Sequence, residues 1–171
     1  MKAFQILESE YADYYANYIK KAGNQDIISG LESSLNNTMS FFKSIPEEKL
    51  EFRYEIGKWT IKDIIQHLID AERVFAYRAL RFARKDNTPL PGFEENDYTI
   101  AANANKRSRE ELLKEYQAVR ESTIMLFKNF DEDTLKLVGI ASNSNMSVRA
   151  IGFVIIGHET HHCDVIKSRY L

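Results

Sequence analysis

The sequence predicts an all-α protein built as a four-helix bundle, and three observations carry that expectation. Apolar residues recur at spacings of three and four along four separate stretches, the period of a helix with one buried face. Only 7 glycines and 3 prolines punctuate the 171 residues, too few for the turns of an all-β sandwich. No stretch reads as a strand; the apolar run at 153–156 falls inside a helical period. A chain of this length forms one domain, residues 1–171, and can bury roughly 70% of its unfolded surface without disulfides or metals as staples.

Taken in order, a short aromatic stretch comes first, with Tyr11, Tyr14, Tyr15, Tyr18 and Ile19 spaced for a short extra helix across one end of the core. The first long helix runs from about Asp26 to Ser44, with Ile27, Leu31, Leu35, Met39 and Phe42 on one stripe. Pro46 biases Ile45 away from the helical region and ends it. The second begins after Trp59, with Thr60 as N-cap and Asp63 at the positive end of the helix dipole. Trp59 and Ile64 stand as a hydrophobic staple, and the helix continues to about Lys85. The third starts at Ser108, completes a capping box with Glu111 and runs to about Phe130. The fourth starts at Ser147, with Met146 and Ile151 as its staple. Between the second and third lies a connector, Asp86 to Arg107, too long for a tight helix–helix turn. It permits a crossover along the bundle, and a loop of that length suggests a lid, with Phe93, Tyr98, Asn103 and Asn105 as pocket-lining candidates.

Composition limits the partners. Lys and Arg number 23 against 25 Asp and Glu, a net charge of −2, which gives no basic field for phosphate-backbone binding. No window approaches the roughly 18 apolar residues of a membrane span, and the amino terminus turns acidic too early for a signal peptide. One cysteine excludes a disulfide framework and a Cys-rich zinc ribbon. A cytoplasmic protein without nucleic-acid or membrane partners is expected.

The chemistry lies in the histidines. His158 and His162 are four apart and interrupt the apolar stripe of the fourth helix one turn above each other; His67 interrupts the stripe of the second. Buried imidazoles need partners, and one shared metal ion satisfies three at once. Hydrogen-bonded packing histidines are the alternative. HETHH at 158–162 also matches the zinc-protease pattern HExxH, but Ser168 stands where the extended motif needs its third histidine, so the third ligand is sought upstream, at His67.

At this point the chain resembles a known family. GKWTIKDIIQHLIDAERVFAYRALRFARKD (57–86) and SVRAIGFVIIGHETHHCDVIKSRYL (147–171), with PGFEENDY (91–98) between them, are similar to the DinB/YfiT-like superfamily of proposed metal-dependent enzymes. The resemblance implies an up-down-down-up bundle and a three-histidine metal site at His67, His158 and His162. In that topology the second and fourth helices are antiparallel. At about 1.5 Å rise per residue the three histidines then share a level to within about one turn. A simple up-down bundle would separate His67 from His162 by roughly 12 Å.

Three nitrogen ligands leave open positions, as catalytic sites do. Imidazole suits zinc, nickel, iron or copper, and manganese is a further choice. Two chemistries follow: metal-assisted hydrolysis of a small-molecule substrate, and transfer to a low-molecular-weight thiol, an activity the resemblance includes. A non-enzymatic metal or stress-ligand binder, with helices that mediate a homodimer, is the alternative from another class. Glu159 is the candidate general base, with inter-helix pairing as its other role. Asp70 is the candidate to orient an imidazole. Arg73, Arg78, Arg81 and Arg84 either bind an anionic substrate group or form a solvated face. His161 is a neighbour of the ligands, and Cys163 a small buried residue.

Overall fold

The computed structural model describes residues 2–171. Short 3-10 turns lead into α1 (Ala16–Lys21), followed by α2 (Ile27–Ser44), α3 (Ile61–Ala83), α4 (Glu95–Ala102), α5 (Arg109–Lys128), α6 (Glu132–Leu135), a β1–β2 hairpin (Val138–Ala141, Ser144–Ser147) and α7 (Val148–Arg169). The four long helices are those expected, and their caps form as the sequence indicates. Thr60 and Ser108 each complete a capping box, with Asp63 and Glu111. Ser147 Oγ accepts from the Ala150 amide at 3.1 Å, and Asp26 caps α2 through the Ser29 amide.

Contacts between helices give the direction of each. Along α2 and α7, Gly30 meets Ile156 and Thr38 meets Cys163, so the numbers rise together and the helices are parallel. Along α3 and α5, Gln66 meets Arg107 and Arg73 meets Glu115, again parallel. Between α2 and α5, Ile45 meets Arg109 while Leu31 meets Arg120, which is antiparallel. The start of α3 lies beside the end of α7, where Tyr170 Oη donates to the Trp59 carbonyl at 2.8 Å. The order is therefore up-down-down-up.

Two apolar clusters fill the bundle. One gathers Ile27, Leu31, Phe75, Phe82, Phe127 and the first half of α7; the other gathers Phe42, Ile61, Ile65, Leu112, Tyr116 and Ile166. Between them runs a layer of buried polar side chains: His67, Glu72, Arg120, His158 and Glu159. The short extra helix is present as α1, and it lies against the middle of α7 rather than across one end of the core.

Two further expectations are corrected. The chain does contain strands: β1 and β2 pair antiparallel from Val138↔Ser147 to Ala141↔Ser144. Their turn is Ser142–Asn143, both at positive φ (51° and 61°), as a two-residue hairpin of the primed type requires. The hairpin docks on α3 through Gly139, where a Cβ would come 2.1 Å from the Phe82 ring. The 86–107 connector is also no plain loop, since it holds α4 and is tied to the hairpin by Leu90, which donates to Ile140 O and accepts from Ser142 N. No helix among the described residues is long and apolar enough to cross a membrane.

Candidate metal centre

Antiparallel packing of α3 on α7 brings His67, His158 and His162 together. The Nε2 atoms of His67 and His162 each lie 3.1 Å from Nε2 of His158, and one ring nitrogen from each residue falls within 4.8 Å of the others. His67 and His158 are buried and His162 is half-buried. Burial holds all three rings neutral: His67 is lowered to about 4 and His162 to about 3. His158 lies well below its ordinary range, through burial first and then its two imidazole neighbours.

This donor set fits a divalent cation. Nε2 of His158 carries one hydrogen or one lone pair, which serves one linear hydrogen bond and not the two contacts it faces. A cation accepts lone pairs from all three neutral rings. Nitrogens about 2.0–2.1 Å from a tetrahedral zinc stand about 3.3 Å apart, close to the 3.1 Å spacings found here.

Aromatic rings enclose the cluster. Trp59, held at the α3 entrance by its Nε1 donation to Asn96 Oδ1 at 3.2 Å, lies 4.7 Å from the His67 ring and stacks at 6.4 Å over His162. Tyr18 meets His158 edge-on at 5.2 Å. A cleft of about 520 Å³ opens beside His162, lined by Trp59, Tyr54, Lys58, His161, Arg169 and Tyr170. Across Trp59 and Asn96 it adjoins a second cleft of about 390 Å³, which reaches Asn103 and Asn105.

The other expected site residues fare differently. Glu159 is 2% exposed and accepts from Arg120 Nη2 at 2.8 Å and from the Tyr116 hydroxyl. Arg120 is in turn forked onto both oxygens of Glu72, at 2.8 and 2.9 Å. The i+1 rotation from His158 thus turns Glu159 into the inter-helix network, the pairing role that the sequence offers beside that of general base. Asp70 accepts from Gln66 at 3.0 Å and lies beside Arg73 at 3.7 Å, with no hydrogen bond to His67. Phe93 shares a cavity with His158, whereas Tyr98 is exposed, packs on Phe93 at 5.0 Å and lines none of these clefts. His161 borders the cleft but not the nitrogen cluster. Cys163 is buried, its thiol pushed up to about 12. Of the arginine series, Arg73 and Arg81 pair with acids while Arg78 is buried.

The sequence offered inter-helix pairing for Glu159 but did not reveal its partners Arg120 and Tyr116, the linked Glu72, or the Tyr18 wall. A signal existed: Glu72 follows Leu68 by one turn, and Arg120 follows Tyr116, so both charges sit on apolar stripes and require buried partners.

Three similarities accord with this geometry. The family model of the DinB superfamily matches residues 31–166. A protein of Oceanobacillus iheyensis, whose name proposes a metal-dependent hydrolase, is 25% identical over 139 residues, covering 80% of this chain and 79% of its own. The solved structure of YfiT from Bacillus subtilis superposes with a TM-score of 0.71 at 13% identity, covering 96% of this chain and 90% of that one. Its authors describe an unusual four-helix bundle topology and propose a metal-dependent hydrolase.

Proposed function

The chain belongs to the DinB superfamily, and from that premise we propose that it is a metal-dependent hydrolase acting on a small molecule at His67, His158 and His162. The observation that carries the reading is the convergence of three neutral imidazole nitrogens, two buried and one half-buried, that cannot satisfy one another. When bound, a divalent cation supplies Lewis acidity and activates water near neutral pH; zinc or nickel suits the imidazoles best, with iron or manganese as alternatives. The protein's own part is to hold the three rings rigid. Trp59 and Tyr18 exclude water from two sides, and the Glu72–Arg120–Glu159 network fixes α3, α5 and α7 at the level of the ligands. The cleft beside His162 gives a substrate access, with Ile64 and Val165 as apolar wall and Lys58, Asn96 and Arg169 as polar contacts. In this reading the protein works in the cytoplasm, alone or as a homodimer.

The cleft favours catalysis over simple metal storage, because a storage site needs no opening of substrate size. Thiol transfer is the second chemistry such a centre serves. Because Cys163 is buried and fully protonated at neutral pH, its thiol must come from a separate molecule.

Elemental analysis after incubation with zinc, nickel or manganese and dialysis tests the proposal. One metal per chain is expected, lost in H67A and H162A and kept in H161A. Wild type that retains none overturns it. A low-molecular-weight thiol that raises the melting temperature of the loaded protein selects transfer over hydrolysis.

A further inference from the structure

Arg78 differs from every other buried charge among the described residues. Glu72 and Glu159 both pair with Arg120, Lys62 pairs with Glu51, Asp63 with Arg53 and Glu10 with Arg149. Arg78 is 2% exposed and pairs with no carboxylate. Its Nη2 donates to the Pro91 carbonyl and to Ser142 Oγ, both at 3.0 Å, and the Tyr15 hydroxyl is a further neutral neighbour. A guanidinium removed from water with neutral acceptors alone keeps an uncompensated charge, which is unfavourable until an anion arrives.

Nor is that charge packed in solid protein. Arg78 forms a wall of a cavity of about 80 Å³, shared with Tyr15, Tyr18, Phe93, Glu95 and His158. That is the volume of two or three waters, room for a carboxylate and the carbon that bears it. Phe75 packs near both His158 and Arg78, 6.3 Å from the imidazole ring and 5.8 Å from the guanidinium carbon. The hydroxyl on Arg78 comes from Ser142, an L residue at φ 51°. The turn of the hairpin thus presents a neutral acceptor at a charged cavity. Glu95, the one carboxylate lining the cavity, makes no ion pair with Arg78. Burial raises its carboxyl above the ordinary range.

We propose that Arg78 binds the carboxylate of a small anionic molecule in this cavity, which borders the histidine cluster at His158 and is separate from the cleft beside His162. The inference stands on Arg78 and its cavity and does not need the metal reading. Chain elements far apart in sequence build the anion site: α3 supplies Arg78, the hairpin Ser142 and the connector Pro91.

The test titrates full-length protein, metal-free and zinc-loaded, with acetate and in parallel with acetamide, its neutral isostere, while following the NMR signals of Gly92 and Ser142. Acetate is expected to shift them saturably in both forms, acetamide not, and R78Q to bind acetate at least about tenfold more weakly. Equal responses to acetate and acetamide, or acetate binding in R78Q as tight as in wild type, overturn the proposal. Should R78Q not fold, the comparison of the two ligands on wild type decides. The metal-free arm gives its answer whether or not the protein retains metal, so failure here is distinct from failure of the histidine site.

Discussion

The backbone carbonyl of Tyr18 rests directly on Gly157, the residue before His158: a Cβ built at Gly157 would lie 1.7 Å from that oxygen. The missing side chain is what lets α1 lie flat on α7, and that contact sets the Tyr18 ring 5.2 Å from His158 and 5.5 Å from His161. An aromatic amino-terminal segment thereby becomes part of the wall around the metal centre.

Gly157→Ala should therefore push α1 away. The obstacle is backbone, which cannot swing aside, so a loss of about 1–3 kcal/mol is expected, the range for overpacking. Urea unfolding checks the magnitude. Hydrogen exchange should show faster exchange of the α1 amides at 18–22, with α3 and α5 unchanged. Unaltered protection in α1 would contradict the contact.

Removing Arg120 strips the countercharge from Glu72 and Glu159 together, since both are about 2–3% exposed and both hydrogen-bond to it. Arg120→Met should cost about 3–5 kcal/mol, the range for breaking a buried pair from one side. Glu159→Gln keeps an acceptor for Tyr116 and Arg120 and should cost less, with metal binding intact. Denaturation midpoints and metal stoichiometry of both variants decide. A Glu159→Gln protein of wild-type stability and no hydrolytic activity would return that residue to the role of base.

The metal-free protein should lose stability as pH falls from about 6.5 to about 4. Folded His67 is lowered to about 4 by burial, against 6.5 when unfolded. Between those values the unfolded chain binds more protons, so acid favours unfolding; above 6.5 the ring is neutral in both states and adds no slope. His162, lowered to about 3, acts in the same direction. Urea midpoints at fixed ionic strength measure this, and His67→Phe should flatten the profile in that window. An unchanged slope in that variant would show that His67 is not the titrating group.

What could be read from the sequence follows from what is local. Caps and apolar stripes act within a few residues, so Thr60, Ser108 and Ser147 mark their helices correctly. The histidines were legible because three polar rings on core stripes need a common explanation, and HETHH with HLIDAER identified the family. The hairpin was hidden because its turn is Ser142–Asn143 rather than Asn-Gly and its strands are four residues long. α4 has a single buried residue, Thr99, and hence no stripe to detect. Arg78 reads as one member of a basic series, for which the sequence leaves both anion binding and a solvated face open. Its burial depends on Ser142 and Pro91, 64 and 13 residues away, which no helical period connects.

Trp59 offers a direct reporter of the centre. It is the single tryptophan of the chain, and its ring lies 4.7 Å from His67 and 6.4 Å from His162. A paramagnetic cation seated among the three Nε2 atoms would come within a few ångströms of the indole, so nickel should quench its fluorescence in proportion to occupancy, saturating at one equivalent. His67→Ala, which removes a ligand but leaves the indole in place, should abolish the saturable phase. His161→Ala should keep it, because that ring borders the cleft outside the nitrogen cluster. Zinc, which is diamagnetic, should displace nickel and restore the emission. Quenching that rises linearly with nickel and survives His67→Ala would report collisions with an exposed indole, and no cation at the histidines.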